Sequence, residues 1–233
     1  WTREDFSFEP GEVFSKLSFG VEMNGSGRLD IEVNNLLGKA SASSLLCAIT
    51  IARHLGLSDE EILSAIPKTK HEPGRMNPIP GIKGSLILDS SYNAAPASMQ
   101  SALEVLGGFH PAENAKRVAV LGYMAELGKY SEQEHRMIGM RVQEVGVDLL
   151  VTVGEMTRDI RRGAIEAGLR EDQTQHFADS TEAGRWLDSQ LKKGDIVLVK
   201  GSQSARMEKI VKDIMAEPTR ALELLVRQDW KDA

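Results

Sequence analysis

The sequence predicts an α/β protein whose larger part is a doubly wound, mostly parallel sheet. From Gly84 onward, short apolar runs alternate with longer amphipathic segments, which is the pattern of strands joined by crossover helices. Polar residues follow the apolar runs, and ligands of such sheets bind at the carboxyl ends of the strands. The sequence therefore predicts a fold class and also the edge of the sheet that carries function.

The regular part of the chain defines the elements of this sheet. Apolar runs predict strands at 85–88, 117–121, 149–153, 175–178 and 195–199. The segments between and after them predict helices at roughly 97–107, 131–145, 156–167, 180–192 and 204–216. The tail past Pro218 is predicted to form a last amphipathic helix.

The first region of the chain is organised differently. Val13–Val21 and Arg28–Val33 predict antiparallel strands joined by a turn. Ala40–Leu55 is rich in Ala, Leu and Ile and predicts a helix buried on most sides, and Ser58 predicts the cap of a second helix. A region of this size is marginal as a domain, so we interpret it as the back part of a larger one.

The segment Lys68–Pro80 predicts the boundary between the two parts. Its polar composition and its prolines are typical of a linker. We place the boundary near Arg75, so that residues 1–75 form an incomplete first domain and residues 76–233 form a second domain.

Composition excludes several classes of function. The formal net charge is −6 and no basic tract occurs, so nucleic acid is not an expected partner. No apolar run approaches the ~20 residues of a membrane span, and no apolar signal segment is seen near Trp1. We expect Cys47, the single cysteine, to be buried, and we expect a reducing, cytoplasmic location.

The segment Gly84–Met99 concentrates the residues of the predicted site. Its strand ends at Asp89, a polar loop follows, and Pro96 suits the first turn of the next helix. In this position Asp89 can accept a ribose hydroxyl or hold a magnesium-bound water. Alternatively, Asp89 and Asn93 merely cap the helix.

Two basic residues are candidates for binding an anion. Arg75 follows Gly74, and its guanidinium can fork onto a phosphate; the alternative is a solvated turn residue. Lys200 ends another predicted strand, which suits a carboxylate or a phosphate; the alternative is an ordinary lysine at a strand end. We expect Lys200 to lie at the same sheet edge as Asp89.

A third polar strand end lies in Val118–Gly128. Glu126 is its only charge and can orient a cationic amine, although a surface position explains it equally well. His135 lies one turn into the next helix, where a structural role is expected more often than a catalytic one. The sequence contains no GxxxxGK[ST] phosphate loop, no cluster with metal-ligand spacing and no Ser-His-Asp elbow.

Taken together, these segments resemble the Mur ligase family of peptidoglycan precursor synthesis. The family pattern reads GR, DDSYNANPxSM, VLGDMxELG, a helical H and VKGSRxxxME, in this order. The chain has Gly74-Arg75, DSSYNAAPASM at 89–99, VLGYMAELG at 120–128, His135 and VKGSQSARME at 199–208. The resemblance covers about Leu36 to Met215.

The resemblance implies the fold and activity of a three-domain ligase. This chain would hold the end of the central α/β ATPase domain and the whole Rossmann-like third domain. The family uses ATP and magnesium to activate the carboxylate of a UDP-N-acetylmuramoyl-peptide as an acyl phosphate, and the amine of the incoming substrate, here D-alanyl-D-alanine, attacks it. The phosphate loop and the magnesium ligands would lie upstream of Trp1, so this chain alone, expected as a monomer, would be inactive.

The resemblance also implies roles for individual residues. Arg75 would meet the ATP phosphates, and Asp89 and Asn93 would lie by the ribose and phosphates. Ser44 stands where the family has an asparagine that faces adenine. Lys200, Gly201 and Ser202 would lie near the incoming dipeptide or the interdomain cleft, and Glu126 is a further candidate for binding the substrate.

Departures from the family pattern keep two alternatives open. The departures are Ala40, Ser41, Ser44, Ser90, Ala95, Tyr123 and Gln203. Those at Ser41, Ser44 and Ser90 somewhat favour a non-catalytic, Rossmann-like binding module derived from a Mur ligase. A folate-polyglutamate or cyanophycin-type ligase is disfavoured, because its loop from Asp to Pro is shorter than the loop seen here.

Overall fold

The computed structural model describes residues 2–9, 12–23, 26–34, 36–69 and 71–226, and it shows two sheets. The first sheet consists of three antiparallel strands, Thr2–Glu9 (β1), Glu12–Met23 (β2) and Ser26–Asn34 (β3). The second contains Asn77–Pro80 (β4), Leu86–Ser90 (β5), Arg117–Gly122 (β6), Leu149–Val153 (β7), Thr174–Phe177 (β8) and Ile196–Lys200 (β9). Its strand order is β4-β5-β9-β6-β7-β8.

Helices cover both sheets. The first region contains Lys39–His54 (α1) and Asp59–Ala65 (α2). The second contains Pro96–Gly108 (α3), Ser131–Glu144 (α4), Arg158–Glu166 (α5), Ser180–Gln190 (α6), Glu208–Ile214 (α7) and Ala221–Leu224 (α8). No helix in the described part of the chain combines the length and the apolar character needed to cross a membrane.

The second sheet has a hydrophobic core on each face. Successive strand residues point to opposite faces, so Leu86 and Leu88 lie in the core with α3, α4 and α5, whereas Ile87 lies in the core with α6 and α7. All neighbouring strands from β5 to β8 run parallel, and only β4 is antiparallel. The predicted doubly wound, mostly parallel α/β fold is therefore confirmed.

The parallel register brings the predicted strand ends together. Ser90 is paired with Lys200, and Lys200 is paired on its other side with Leu121, the neighbour of Gly122. Asp89, Gly122 and Lys200 therefore lie at the same edge of the sheet, as predicted.

Two predictions in the connecting segments are wrong. The predicted linker contains β4, which accommodates Pro78 and Pro80 because an edge strand needs donors on one side only. In the described part of the tail past Pro218, the short α8 is the only α-helix, and Leu225 after it is extended. The rest of that predicted helix, residues 227–233, lies outside the described residues.

The predicted burial of α1 is also wrong. Ala42 and Ile49 are buried against the first sheet, but Cys47, which we expected to be buried, is exposed. Large apolar side chains are exposed as well, namely those of Leu46, Ile51 and Leu55. The described residues therefore cover only part of the apolar surface of this helix.

Two glycines allow α4 and α5 to pack closely. A Cβ on Gly139 would collide with the Ile160 carbonyl oxygen, and one on Gly163 would collide with that of Arg136. We expect Gly139→Ala to lower the free energy of unfolding by about 2 kcal/mol, because the obstructing atoms are backbone. Urea unfolding measures the loss, and Gln133→Ala on the exposed face of α4 should change it by less than ~0.5 kcal/mol. An unchanged urea midpoint for Gly139→Ala would contradict this, because α5 would then shift to make room for the methyl group without loss of stability.

Candidate functional site

A cavity of about 620 Å³ lies between α1 and α3, beside the edge where the strands end. Its size is within the range of small-molecule sites. The residues that line it come from α1, the segment 71–76 before β4 (called the linker below), the loop after β5, α3 and β9. They include Ser44, Ala48, Arg75, Tyr92, Asn93, Val105 and Lys200. Four of the predicted site residues, Ser44, Arg75, Asn93 and Lys200, are thus brought together.

Asp89 lies fully buried beneath the linker and does not line this cavity. Its carboxylate accepts the N–H of Gly74 and the N–H of Ser91, each at 3.1 Å. Burial raises the pKa of Asp89 to about 6, and the hydrogen bonds from Ser91 and Gly74 oppose this shift only in part. Asp89 does not cap α3, so its visible role is to fasten the linker to β5.

Lys200 is buried, with 4% of its surface exposed, and it holds the loop after β5. Its Nζ donates to Ser90 Oγ at 3.2 Å and to the Asn93 carbonyl oxygen at 2.7 Å. Burial and, to a smaller extent, the nearby charge of Arg75 lower the pKa of Lys200 to about 8, with Asp89 acting in the opposite direction. The cation of Lys200 therefore serves the loop and the cavity together.

Arg75 lines the cavity with an exposed side chain that rests on an aromatic ring. Its guanidinium carbon lies 4.3 Å from the centroid of the Tyr92 ring, a cation–π contact. The N–H of Tyr92 donates to the Gly74 carbonyl oxygen at 3.0 Å. The end of the linker is thus fixed over the loop after β5, and Arg75 is positioned by it.

Glu126 lies outside the lining of this cavity, in a loop that is held from two sides. Ser202 Oγ accepts the N–H of Ala125 at 2.8 Å, and Nε2 of the buried His135 accepts the N–H of Met124 at 2.9 Å. Glu126 has a φ of 64°, in the left-handed region that favours glycine, and it is exposed. His135 thus has the structural role that the sequence predicts.

Ser202 and Gly201 connect the loops at the sheet edge instead of lining the cavity. Ser202 Oγ lies 3.4 Å from the Ala94 carbonyl oxygen, to which it donates. A Cβ on Gly201 would lie 2.6 Å from Cγ of Met207, so only glycine fits there. Both residues therefore fix the geometry of the edge.

The two serines of α1 that face the cavity donate to their own helix. Ser41 Oγ donates to the Leu37 carbonyl oxygen at 2.8 Å, and Ser44 Oγ donates to the Ala40 carbonyl oxygen at 3.1 Å. Their hydroxyl protons are used, so these side chains offer a ligand only acceptor lone pairs.

Sequence reasoning missed two residues of the site, Tyr92 and His71, which both line the cavity. Tyr92 lies within the motif already singled out, and an aromatic residue in a loop of small polar ones was a usable signal. His71 lies in a polar linker without periodicity, where no pattern marks one residue over another.

The second sheet and the loops at its carboxyl ends match a known protein family. Residues 74–203, more than half of the chain, match the family described as Mur ligase, glutamate ligase domain. The chain belongs to the Mur ligase family. The Mur ligase match begins at the linker and includes all three polar strand ends, so the resemblance inferred from the motifs is confirmed.

Two curated Mur ligases are similar to most of this chain. The UDP-N-acetylmuramoyl-tripeptide--D-alanyl-D-alanine ligase of Escherichia coli is 33% identical over 186 residues, which cover 79% of this chain and 39% of that protein. The ligase of the same name from Bacillus subtilis is 28% identical over 186 residues and covers 78% of this chain and 39% of that protein. The chain thus spans 39% of the length of these relatives.

Solved Mur ligase structures share the fold. A structure of MurF from Acinetobacter baumannii has 26% identity and a TM-score of 0.70, and the match covers 89% of this chain and 43% of that one. MurF from Thermotoga maritima, in complex with ADP, also has a TM-score of 0.70, with 95% of this chain and 46% of that one covered. Its identity of 22% shows likeness of fold alone.

Proposed function

We propose that this chain is part of an ATP-dependent ligase that adds D-alanyl-D-alanine to a UDP-N-acetylmuramoyl-tripeptide in peptidoglycan synthesis. The family and the names of the relatives support this reaction. We propose that it proceeds through an acyl phosphate. The observation that carries the proposal is the cavity where Arg75 and Lys200 meet beside the beginning of α3. An enzyme with these nucleotide substrates acts in the cytoplasm, and we propose that it is a monomer.

The cations of the cavity favour an anionic ligand. Arg75 lowers the pKa of Lys200 through charge repulsion, and the partial offset by Asp89 is limited because burial raises the pKa of that carboxyl. α3 begins at Pro96 beside the same cavity, and the free N–H groups of a first helical turn attract phosphate. We therefore place the ATP phosphates between Arg75, Lys200 and the loop at Asn93.

The other end of the cavity suits a nucleoside. Apolar side chains line it from both sides, with Leu45 and Ala48 on α1 and Val105 on α3. A flat base stacks favourably on such walls, and the lone pairs of Ser44 can accept from an exocyclic amine. We therefore place the base of ATP beside α1.

Glu126, Gly201 and Ser202 form the substrate side of the proposed site. The strained φ of Glu126 persists because Ser202 and His135 fix its loop, and such strain is typical of functional positions. We propose that the Glu126 carboxylate orients the ammonium group of the incoming dipeptide. Gly201 and Ser202 act through the loop geometry, and Lys200 serves the nucleotide side.

We further propose that residues 1–75 are the end of the central ATP-binding domain and residues 76–233 the C-terminal domain. The exposed apolar side chains of Leu46, Ile51 and Leu55 on α1 support an incomplete first domain. In the described residues, no group of three or more His, Cys, Asp and Glu side chains could hold a metal ion. We therefore assign the magnesium ion and the phosphate loop to the rest of the enzyme.

The chain alone is expected to release no phosphate from ATP above a no-protein control, with UDP-N-acetylmuramoyl-tripeptide and D-alanyl-D-alanine present. Its sequence contains no GxxxxGK[ST] loop, which we expect to be needed to hold a triphosphate with magnesium. The full-length protein is expected to release phosphate and to form the amide in the same assay. Phosphate release by the chain alone would contradict the assignment of the phosphate loop to other residues.

The alternative is a non-catalytic binding module, and one observation favours it. Ser41 and Ser44 both donate to their own helix, so their hydroxyl protons do not serve a base. A full-length protein that binds the UDP-sugar peptide and releases no phosphate would establish this alternative.

A further inference from the structure

The His71 ring joins α1 to the linker through two hydrogen bonds. Its Nε2 accepts the N–H of Leu37 at 3.0 Å, and its Nδ1 lies 3.1 Å from the carbonyl oxygen of Arg75. The ring therefore connects the residue before Gly38, the N-cap of α1, to Arg75, the last residue of the proposed first domain.

The two bonds define the protonation of the ring. A backbone N–H can only donate, so Nε2 must be the unprotonated nitrogen that accepts from Leu37. A carbonyl oxygen can only accept, so Nδ1 carries the proton and donates to Arg75. Both bonds require neutral imidazole, because the doubly protonated ring has no lone pair for Leu37.

Leu37 makes this connection costly to break. Its side chain is 1% exposed and lies in the core of the second sheet, with Leu86, Leu88 and Leu106, although the residue precedes α1. Its N–H is thereby held in a buried place and needs an acceptor. The ion pair of Lys39 with Glu104, which also joins α1 to α3, is exposed and contributes little.

We propose that His71 is a positioning residue that sets the separation of α1 and α3, and with it the width of the cavity between them. By holding the Arg75 carbonyl oxygen, it also fixes the backbone from which the guanidinium reaches the cavity. The inference concerns the cavity itself and holds whatever ligand the cavity binds.

The charge state of His71 makes the connection sensitive to acid. Burial lowers the pKa of His71 from 6.5 to about 4, and the bond to the Arg75 carbonyl oxygen opposes this only in part. Protonation removes the acceptor for the Leu37 N–H and so favours the separation of α1 from α3. The contribution of the neutral ring is complete above pH 6.5 and is lost as the pH falls toward 4. The charged residues lining the two cavities beside His71 are Glu72, Arg75 and Lys200 on one side and Glu32 and Glu223 on the other.

Distance measurement between spin labels tests the proposal on the chain itself. Cys47, the single cysteine, is exposed on α1, and Gln100→Cys adds an exposed partner on α3, the helix on the other side of the cavity. We expect one narrow distance distribution at about pH 7.5. In His71→Ala it should broaden by more than about 2 Å, the size that separates rearrangement from side-chain adjustment. Exchange of the Leu37 amide should accelerate about tenfold, as for one lost hydrogen bond.

A conservative variant separates positioning from mere packing. The amide oxygen of His71→Gln can accept from Leu37 and does not titrate, so its distribution should stay narrow at neutral pH and on acidification to about pH 4. The distance distribution of the protein with His71 unsubstituted should broaden on the same acidification. That of His110→Ala, a control at an exposed histidine, should broaden equally. An unchanged distribution in His71→Ala, equal acid broadening in His71→Gln, or a proton found on Nε2 by nitrogen NMR would overturn the proposal.

Discussion

Alanine in place of Arg75 is expected to lower turnover of the full-length ligase about 10²-fold, or ~3 kcal/mol, by analogy with other groups that clamp phosphates. In the structure the Arg75 guanidinium rests on the Tyr92 ring and lines the cavity, so it is near the proposed phosphates without being buried. We expect the contact of Arg75 with the phosphates to be completed only when the domains close, so that it stabilises the transition state more than bound ATP. Steady-state kinetics should therefore show a large fall in kcat with little change in KM for ATP.

Two further variants make this result specific to Arg75. Arg75→Lys keeps the charge but loses the planar fork, so we expect it to recover little of the lost turnover. Arg158→Ala removes an exposed arginine that pairs only with neighbouring Glu155 in the described structure, and it should leave kcat unchanged. Thermal melts check that all variants are folded. Near-normal turnover in both Arg75 variants would leave Arg75 as a solvated turn residue, with effects within ~0.5 kcal/mol.

The sheet was predictable from sequence because its strands are buried on both faces. Such strands are continuous apolar runs, as at Leu86–Leu88 and Ile196–Val199, and the helices between them have one apolar face. β4 was missed because Pro78 and Pro80 indicate a linker, and only the neighbouring strand makes them part of an edge. The burial of α1 was overestimated because apolar composition does not reveal what covers a helix.

The convergence of the site was predictable, but its contacts were not. Parallel strands end at one edge, so Asp89 and Lys200 were expected together there. The hydrogen bonds of these two side chains join parts of the chain that are distant in sequence, as from Lys200 to the Asn93 carbonyl oxygen. No local sequence pattern predicts such pairs. Similarly, His71 in the linker accepts a hydrogen bond from Leu37, which the polar composition of the linker does not predict.

The second large effect is expected from Asp89 as a dependence of stability on pH. Relative to Asp89→Asn, the unsubstituted chain should lose about 3 kcal/mol of unfolding free energy between about pH 3 and pH 8. The folded pKa of Asp89 is raised from 3.8 to about 6 by burial, so the folded state holds this proton more tightly than the unfolded state. The protonated Asp89 therefore stabilises the folded state fully below pH 3.8, and this stabilisation is lost as the pH rises through 6.

Urea unfolding of the unsubstituted chain and of Asp89→Asn across this pH range measures the difference between their free energies of unfolding. The contributions of other titrating groups, such as His71, are the same in both proteins and cancel in this difference. Asp172→Asn, at an exposed aspartate, should show no such dependence on pH. A constant difference between the chain and Asp89→Asn would mean that the bonds from Gly74 and Ser91 fully offset the burial of the carboxylate. An ionised carboxylate is a stronger hydrogen-bond acceptor than a protonated one. In that case Asp89 would be ionised near neutral pH without loss of stability, and it would hold Gly74, and with it the neighbouring Arg75, in place.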